Sequence, residues 1–454
     1  MDRDALERLS KEDLITLVLA QAAQIAALMV QNEELHKRVA ELETRRGPPK
    51  TPDNSSLPPA QGYKPSRAAR RATKKRQGRP GTYRKLAEQP DRIVDTLAQA
   101  CPHCAHPLGA ADQPGVHAYD HIELPPIRPV VTRVHRHRGV CPCCRRGFSA
   151  PVPAGMVPGS PFGPGISALI VHLHVTQAIS FERLSRLMAE LFGLTISEGA
   201  IANMLARAEP ALSAAAEAIA ERVRHAAVVA SDETSARVKG HTHWQWVMLS
   251  STAVYHTIAD SRAARVVVGL LQGAVPEVWV ADRYGGQAGH GQARQVCLAH
   301  LLRDAQFAID EGDNIFAPAF KVLLSRAAAI GGRRDTLKDT TLAQYRAALD
   351  RRLDRLLATP PTKPAATKLW QAMRRDRDDL FRFLARRDVP YTNNGCERAL
   401  RPSVIFRKVT GCFRSEGGAT GYAAALSVIA TGALNGQSAL HSLRLALNPP
   451  LAAA

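Results

Sequence analysis

Three carboxylates in this chain stand where they could work on a phosphate. Asp232 follows the apolar run 228–231 in V-V-A-S-D-E-T, and Asp282 closes V-W-V-A-D at 278–282. Glu397 lies far downstream in T-N-N-G-C-E-R-A-L-R-P at 392–402. The first two runs read as short buried strands and the third as the start of a helix. Acids at the ends of neighbouring strands would face each other. Like charges that close cannot both stay ionised without a cation, and oxygen-only ligands suit Mg²⁺ or Mn²⁺. Asp232, Asp282 and Glu397 are therefore candidate catalytic residues and metal ligands. A pair of ions held there could stabilise both the attacking and the leaving oxygen of an in-line phosphoryl displacement. The ordinary reading of each acid stands beside this one. An Asp after a strand is commonly a turn residue or helix cap, and Glu233, Asp260 and Asp304 compete for the same role. On these residues alone, a metal-dependent phosphoryl transferase and a non-enzymatic DNA-binding protein remain equally open.

A second constellation is built from thiols. The chain has eight Cys, among them Cys101-Pro-His-Cys104 and Cys141-Pro-Cys143-Cys144. Two such pairs can place four thiolates tetrahedrally around Zn²⁺, which makes Cys101, Cys104, Cys141 and Cys144 the candidate zinc ligands. The pairs are further apart than usual for a ribbon. The alternating segments 117–124 and 130–140 would have to form a hairpin that returns the second pair to the first. Redox chemistry is the alternative, and Cys143 has no assigned part. His103, His106, His135 and His137 fit a basic or DNA-facing surface better than a ligand set.

Charge points to the partner. The 454 residues carry a formal net charge of +19 and a sequence pI near 10.0. Such a balance suits a polyanion, most often nucleic acid. Hydrophobic content of 45% is enough for a sizeable core. No apolar run of about 18 residues is evident, so no membrane span is expected. The N-terminus M-D-R-D-A-L-E-R is too charged for a secretory signal. A cytoplasmic or nucleoid-associated protein is the expectation.

Other elements must position these groups. Residues 5–43 carry a heptad, with Leu14, Gln21, Leu28, Leu35 and Leu42 on one seam and Val18, Ile25, Asn32 and Val39 on the other. β-Branched residues on one seam and Leu on the other favour a two-stranded parallel coiled coil, and Asn32 would fix its register. A single amphipathic helix packed on its own chain is the other reading. From 47 to about 83 Pro, Ser and basic residues dominate, which is the composition of a flexible, phosphate-binding linker. Arg70, Arg71, Lys74, Lys75, Arg76 and Arg79 are its candidate DNA contacts. Residues 181–191, a turn at 193–195 and residues 198–206 resemble a helix-turn-helix with Ser197 as N-cap, though an ordinary helical hairpin fits equally.

An alternating pattern follows. Strands are expected at 228–231, 244–250, 253–258, 278–281 and 295–299, with helices at 262–272 and 300–309. Residues 314–388 read as all-helical. The fold class is multidomain α+β, with a mixed sheet covered by helices. The expected domains are a coiled-coil helix (1–46), a basic Pro-rich linker (47–96), a zinc-binding finger (97–150) and a helical, DNA-binding region (151–225). The catalytic core would be split between 226–313 and 389–436 by a helical insertion (314–388), with a tail at 437–454.

The chain resembles transposases of the insertion sequence 66 family, a DDE-type group of bacterial mobile elements. The resemblance rests on the N-terminal zipper, N-S-S-L-P-P at 54–59, the paired C-P-x-C finger, S-D-E-T at 231–234, A-D-R-Y at 281–284 and C-L-A-H-L-L-R-D at 297–304. Its most specific piece is T-N-N-G-C-E-R-A-L-R-P followed by F-R-K and F-R-S. It implies an RNase H-like core in which Asp232, Asp282 and Glu397 are the catalytic acids. It also implies that Asn393, Asn394, Arg398, Arg401, Arg407 and Lys408 belong to the signature around the Glu, with Arg398, Arg401, Arg407 and Lys408 as DNA contacts. The implied activity is Mg²⁺-dependent cleavage and strand transfer at terminal inverted repeats. The partners would be element ends and target DNA, a homodimer or larger synaptic assembly, and accessory transposition proteins. A zinc-finger regulator without catalysis and a hydrolytic nuclease of the same fold are the alternatives. A-H-L-L-R-D and D-R-Y-G-G-Q depart from the common family pattern, which suggests a divergent branch and leaves Arg303, Asp304 and Tyr284 without an assigned role. His300 could face the site or simply pack at a helix start.

Overall fold

The computed structural model describes residues 10–46, 84–153, 155–156 and 159–448; side chains are described outside 39–46. The basic stretch with Arg70, Arg71, Lys74, Lys75, Arg76 and Arg79 therefore lies outside the described residues. The chain divides into two compact units, one of residues 64–156 with 181–201 and the other containing the remainder.

Helix α1 (Lys11–Arg46) opens the chain. Ser10 caps it, with the Asp13 amide donating to Ser10 Oγ at 3.2 Å. Its seam residues Val18, Ile25, Leu28 and Leu35 are exposed.

In the unit of residues 64–156 and 181–201 the two Cys pairs form matching turns. The Cys101 amide donates to the His106 carbonyl and the Ala105 amide to the Cys101 carbonyl; the Cys141 amide donates to Arg146 and the Arg145 amide to Cys141. Ala105 and Arg145 both adopt positive φ, 58° and 55°. The strand pair is shorter than expected. Only β1 (Arg138–Val140) and β2 (Gly147–Ser149) pair, and they flank the second knuckle. Residues 117–124 and 130–137 form no strand. An extended segment becomes a strand only by exchanging backbone hydrogen bonds with a partner, and these two segments do not pair.

Helix α2 (Pro164–Val175) is followed by α3 (Phe181–Phe192) and α4 (Glu198–Arg224). Ser197 caps α4 as expected, accepting from the Ala200 amide at 3.2 Å. The second helix of the expected helix-turn-helix is not the short 198–206 segment. It runs for 27 residues through Pro210, because the Ala-rich stretch beyond 206 continues the helix without a break.

The central sheet contains β3 (Val228–Val238), β4 (His241–Leu249), β5 (Val254–Ala259), β6 (Val278–Ala281) and β7 (Ala293–Val296), in the order β5-β4-β3-β6-β7. The β3–β4 and β4–β5 pairs are antiparallel; β3–β6 and β6–β7 are parallel. Helix α5 (Arg265–Leu271) precedes β6, and α6 (Leu298–Asp310) follows β7. The last strand ends at Val296 rather than 299, since α6 starts immediately beyond Cys297. The β6–β7 connection holds only a 3₁₀ turn at Gly285–Gln287.

Both sheet faces are buried, which is why the strand sequences read as near-continuous apolar runs. On one face Val247, Val280 and Val296 pack with α6, α7 (Phe316–Gly332), α8 (Asp339–Leu357) and α9 (Pro364–Arg375). The all-helical reading of 314–388 holds, and these helices share the sheet's own core. On the other face Trp246, Met248 and Trp279 pack with α2, the later part of α4, α5, α11 (Glu416–Leu434) and α12 (Ala439–Leu447). Helix α10 (Asn394–Thr410) contributes Cys396 and Leu400 to the first cluster and Phe406 to the second.

By length and composition, residues 11–38 and α11 are apolar enough to cross a membrane, contrary to the expectation from sequence. In α11 that composition serves the core. Its Ser427 and Thr431 also replace a sixth strand along the sheet edge. The Val254 amide donates to Thr431 Oγ1 at 2.9 Å and the His256 amide to Ser427 Oγ at 2.8 Å. Both hydroxyls donate back to the carbonyls of the same strand residues. Buried edge amides need such partners. Thr431→Val keeps the side-chain shape and orphans the Val254 amide. It is expected to lower unfolding stability by about 1–3 kcal/mol, measured by urea denaturation.

Candidate active site

The sheet topology brings the acids together. β3 pairs with β6 only through Ala230↔Val280, while its antiparallel pairing with β4 runs on to Val238. Asp232 thus lies within a longer strand than expected, just beyond the point where β3 loses its parallel neighbour. Asp282 is the first residue after β6. The two acids lie just beyond the point where the parallel β3–β6 pairing ends, Asp282 at the carboxyl end of β6 and Asp232 within the antiparallel extension of β3.

Glu397 arrives in the first turn of α10. The helix is tied down by backbone and side-chain bonds before it starts. The Leu298 amide donates to the Tyr391 carbonyl at 3.0 Å, and the Asn393 amide to Cys297 Sγ at 3.1 Å. Buried Asn393 also donates from Nδ2 to the Ser231 carbonyl at 2.7 Å, one residue before Asp232. The Cys297 amide donates to the Ala281 carbonyl, one residue before Asp282. Asn393 and Cys297 therefore lock the three acid-bearing segments to one another. Asn394 is exposed at the helix start.

The electrostatics centre on His300. Its Nε2 is 4.0 Å from Glu397 Oε1, and Arg303, one turn along α6, brings Nη1 to 3.5 Å from the same oxygen. Burial would lower the His300 pKa, but the neighbouring Cys297 thiol and the Asp282 and Asp232 carboxylates outweigh it and push it up to about 9. His300 is thus next to Glu397 and is influenced by the charges of Asp282 and Asp232. Asp232 is displaced in the same sense: burial, then the charges of Glu233 and Asp282, raise its pKa to about 7, against a smaller lowering by His300. Asp304 is drawn off by Arg283, whose Nη2 donates to it at 2.9 Å.

Glu233, a competing acid in the sequence, does not join this group. Successive strand residues point to opposite faces. Asp232 pairs opposite Val247 and Glu233 opposite Trp246, members of the two different cores. The Glu233 side chain is 1% exposed and ion-paired to Arg262 at 2.7 Å.

The donors have the chemistry of a hard-cation site: they are oxygens, they are crowded, and two of them repel each other. Among the described residues, no three His, Cys, Asp or Glu side chains lie close enough to share one ion. Glu397 is turned toward Arg303 and His300. The same holds for the thiols. Within each knuckle, backbone amides of the second and third following residues aim at the first sulfur and lower the Cys101 and Cys141 pKa values. The four sulfurs of Cys101, Cys104, Cys141 and Cys144 are not gathered at one point.

The predicted DNA contacts of α10 divide. Arg398, Arg401 and Lys408 are exposed, with Ile405 on the same helix face. Arg407 is half-buried, donating to Thr234 Oγ1 at 3.3 Å. Its Nη1 is buried without a hydrogen-bond partner. Arg303, Cys297 and Cys396 were not singled out from sequence. The i, i+3 spacing of His300 and Arg303 on a helix leaving a strand end was the available signal.

An α/β sheet that collects acids and their cationic partners at parallel strand ends defines the class: a site protein with a charged, carboxylate-rich centre. The family is given by comparison. The model of the transposase IS66 family matches residues 159–421, a span that includes every strand of the central sheet, His300 and all three acids. The chain belongs to that family. No curated protein matches it.

The raised pKa of Asp232 has a consequence for stability. Between its ordinary 3.8 and about 7, the folded chain holds a proton that the unfolded chain has lost. Folding is therefore increasingly penalised as pH rises through that window. In metal-free protein at pH 8, Asp232→Asn is expected to be more stable than wild type by on the order of 1–3 kcal/mol. The gain should vanish near pH 4. Urea unfolding at the two pH values measures it.

Proposed function

We propose that this chain is a DNA transposase of a bacterial insertion sequence. It binds the terminal inverted repeats of its element, cleaves there in a divalent-metal-dependent reaction and joins the 3′ ends to target DNA. Family membership supports the transposase reading. The observation that carries the chemistry is the parallel β3–β6 register, which puts Asp232 and Asp282 on adjacent strands just beyond Ala230↔Val280, with Glu397 4.0 Å from His300 on the following helix. A sheet of three antiparallel strands extended by two parallel ones supports an RNase H-like core.

Asp232 and Asp282 would hold Mg²⁺ or Mn²⁺, with Glu397 completing the donor set. The bound ions supply charge neutralisation and activation of an attacking water or 3′-hydroxyl. The protein's own residues perform the rest. His300 and Arg303 hold Glu397 and balance the acids. Asn393 and Cys297 keep the three segments in register. Exposed Arg398, Arg401 and Lys408 offer a phosphate track along α10, and Arg407, half-buried against Thr234, borders it. The basic stretch from Arg70 to Arg79 would add salt-dependent affinity. The exposed seam of α1 supports a parallel dimer, as synapsis of two ends requires. A cytoplasmic, nucleoid-associated location follows from this reading.

With element-end duplexes and Mg²⁺, wild type should give cut and joined products. Asp282→Asn and Glu397→Gln should lose both by about 100-fold or more while still shifting end DNA in gels. Full activity in either variant would remove the catalytic assignment. Products cut but never joined would favour a nuclease, and binding without cleavage under any metal a regulator.

The C-x-x-C spacing of both pairs favours a structural zinc shared by Cys101, Cys104, Cys141 and Cys144, which would have to draw together sulfurs that the described structure holds apart. Metal analysis of purified protein is expected to find about one zinc per chain, lost in Cys101→Ser. Well-folded protein without zinc would refute it.

A further inference from the structure

Glu233 stands next to Asp232 in sequence, yet both its carboxylate oxygens are spent on the other side of the sheet. Oε1 accepts from Arg262 Nε at 2.8 Å and Nη2 at 2.7 Å. Oε2 accepts from Gln287 Nε2 at 2.6 Å. Gln287 is fully buried, and its own oxygen accepts from Trp279 Nε1 at 3.2 Å. The Arg262 guanidinium lies between two rings, 3.8 Å from the centroid of Tyr284 and 4.8 Å from that of Trp244.

These contacts converge on one loop. Residues 283–290 connect Asp282 to the approach of β7, and Tyr284, Gly286 and Gln287 are the points at which the loop is held. Gly286 has no room for a side chain: a Cβ would lie 2.6 Å from the Tyr284 ring and 2.8 Å from the Arg262 carbonyl. The Tyr284 amide donates to Asp282 Oδ1 at 2.9 Å. Holding Tyr284 therefore holds the carboxylate. A buried ion pair of this kind is costly unless its hydrogen bonds are complete, and here Glu233 is satisfied at both oxygens.

We propose that Glu233 is a positioning residue: through Arg262 and Gln287 it clamps the 283–290 loop and so aims Asp282 toward the ion that Asp232 and Asp282 would hold. This rests on the metal-dependent reading above. One strand then sets both acids, Asp232 directly on one face and Asp282 from the other face through Glu233. Glu233 binds no ion itself.

The test uses full-length Glu233→Gln, Arg262→Met, their double variant and the milder Tyr284→Leu, which leaves the buried pair intact. The first readout is hydrogen–deuterium exchange of 283–290 in metal-free protein, with peptides of β4 as the folding control. All the variants should exchange there about tenfold faster or more, with β4 protection unchanged, and the double variant no faster than the worse single. Wild-type protection of this loop in Arg262→Met, Tyr284→Leu or Glu233→Gln would overturn the proposal, whatever metal does.

The second readout is Mn²⁺ binding by calorimetry. Glu233→Gln and Arg262→Met should each weaken it by about tenfold or more, and cleavage should recover at high Mn²⁺, whereas Asp282→Asn should not recover. Weakening by Glu233→Gln but not by Arg262→Met would make Glu233 a ligand and overturn the positioning role. Wild type that binds no Mn²⁺ would sink the metal reading instead, and the exchange data would still decide whether the clamp exists.

Discussion

Like charges held close together set the terms for the rest of this molecule. Asp232 lies next to Asp282 at the end of the parallel β3–β6 pairing, and burial together with neighbouring carboxylates disfavours its ionised form. The surrounding structure is arranged to hold that unfavourable grouping. Two apolar cores clamp the sheet from both faces. Asn393 and Cys297 stitch three chain segments together by single hydrogen bonds. The cationic counterparts, His300 and Arg303, both come from α6, which leaves the strand next to the one that carries Asp282.

The two faces of the sheet serve different ends. On the His300 side, α6 to α9 build a core around the acids and position the charges. On the opposite side, α11 packs along the sheet and closes its edge with Ser427 and Thr431. β3 joins the two, since neighbouring residues point in opposite directions. A carboxylate pair adjacent in sequence is thereby split, Asp232 to the site and Glu233 to Arg262. The exposed basic residues of α10 continue away from Glu397 on the same helix. A strand of DNA lying on them would meet the acids at the helix start.

Much of this was legible in the sequence. The apolar run closed by Asp282 marked a real strand end, while Asp232 falls inside β3 at the point where its parallel pairing stops. Helical periodicity over 314–388 and the cap at Ser197 were local signals, and local signals survive folding. What misled was partnership. Residues 117–124 alternate like a strand but have nothing to pair with, whereas the Ala-rich run 209–223, which reads as continuing the helical region, joins 198–206 in one helix. The extra length of β3 came from the antiparallel hairpin with β4, which the apolar run at 228–231 does not announce.

Composition, spacing and resemblance by themselves determined the family, the mixed α/β class and the basic character, and put forward the three acids as candidates. Those depend on residue types and on nearest neighbours along the chain. Tertiary structure alone decided which acids meet. It assigned Glu233 to the opposite face and gave His300 and Arg303 to Glu397. It also formed the two Cys knuckles as separate turns whose sulfurs do not meet. Distances between residues scores or hundreds of positions apart arise from strand order, register and helix packing. Those are properties of the folded core, and no local run of the sequence carries them.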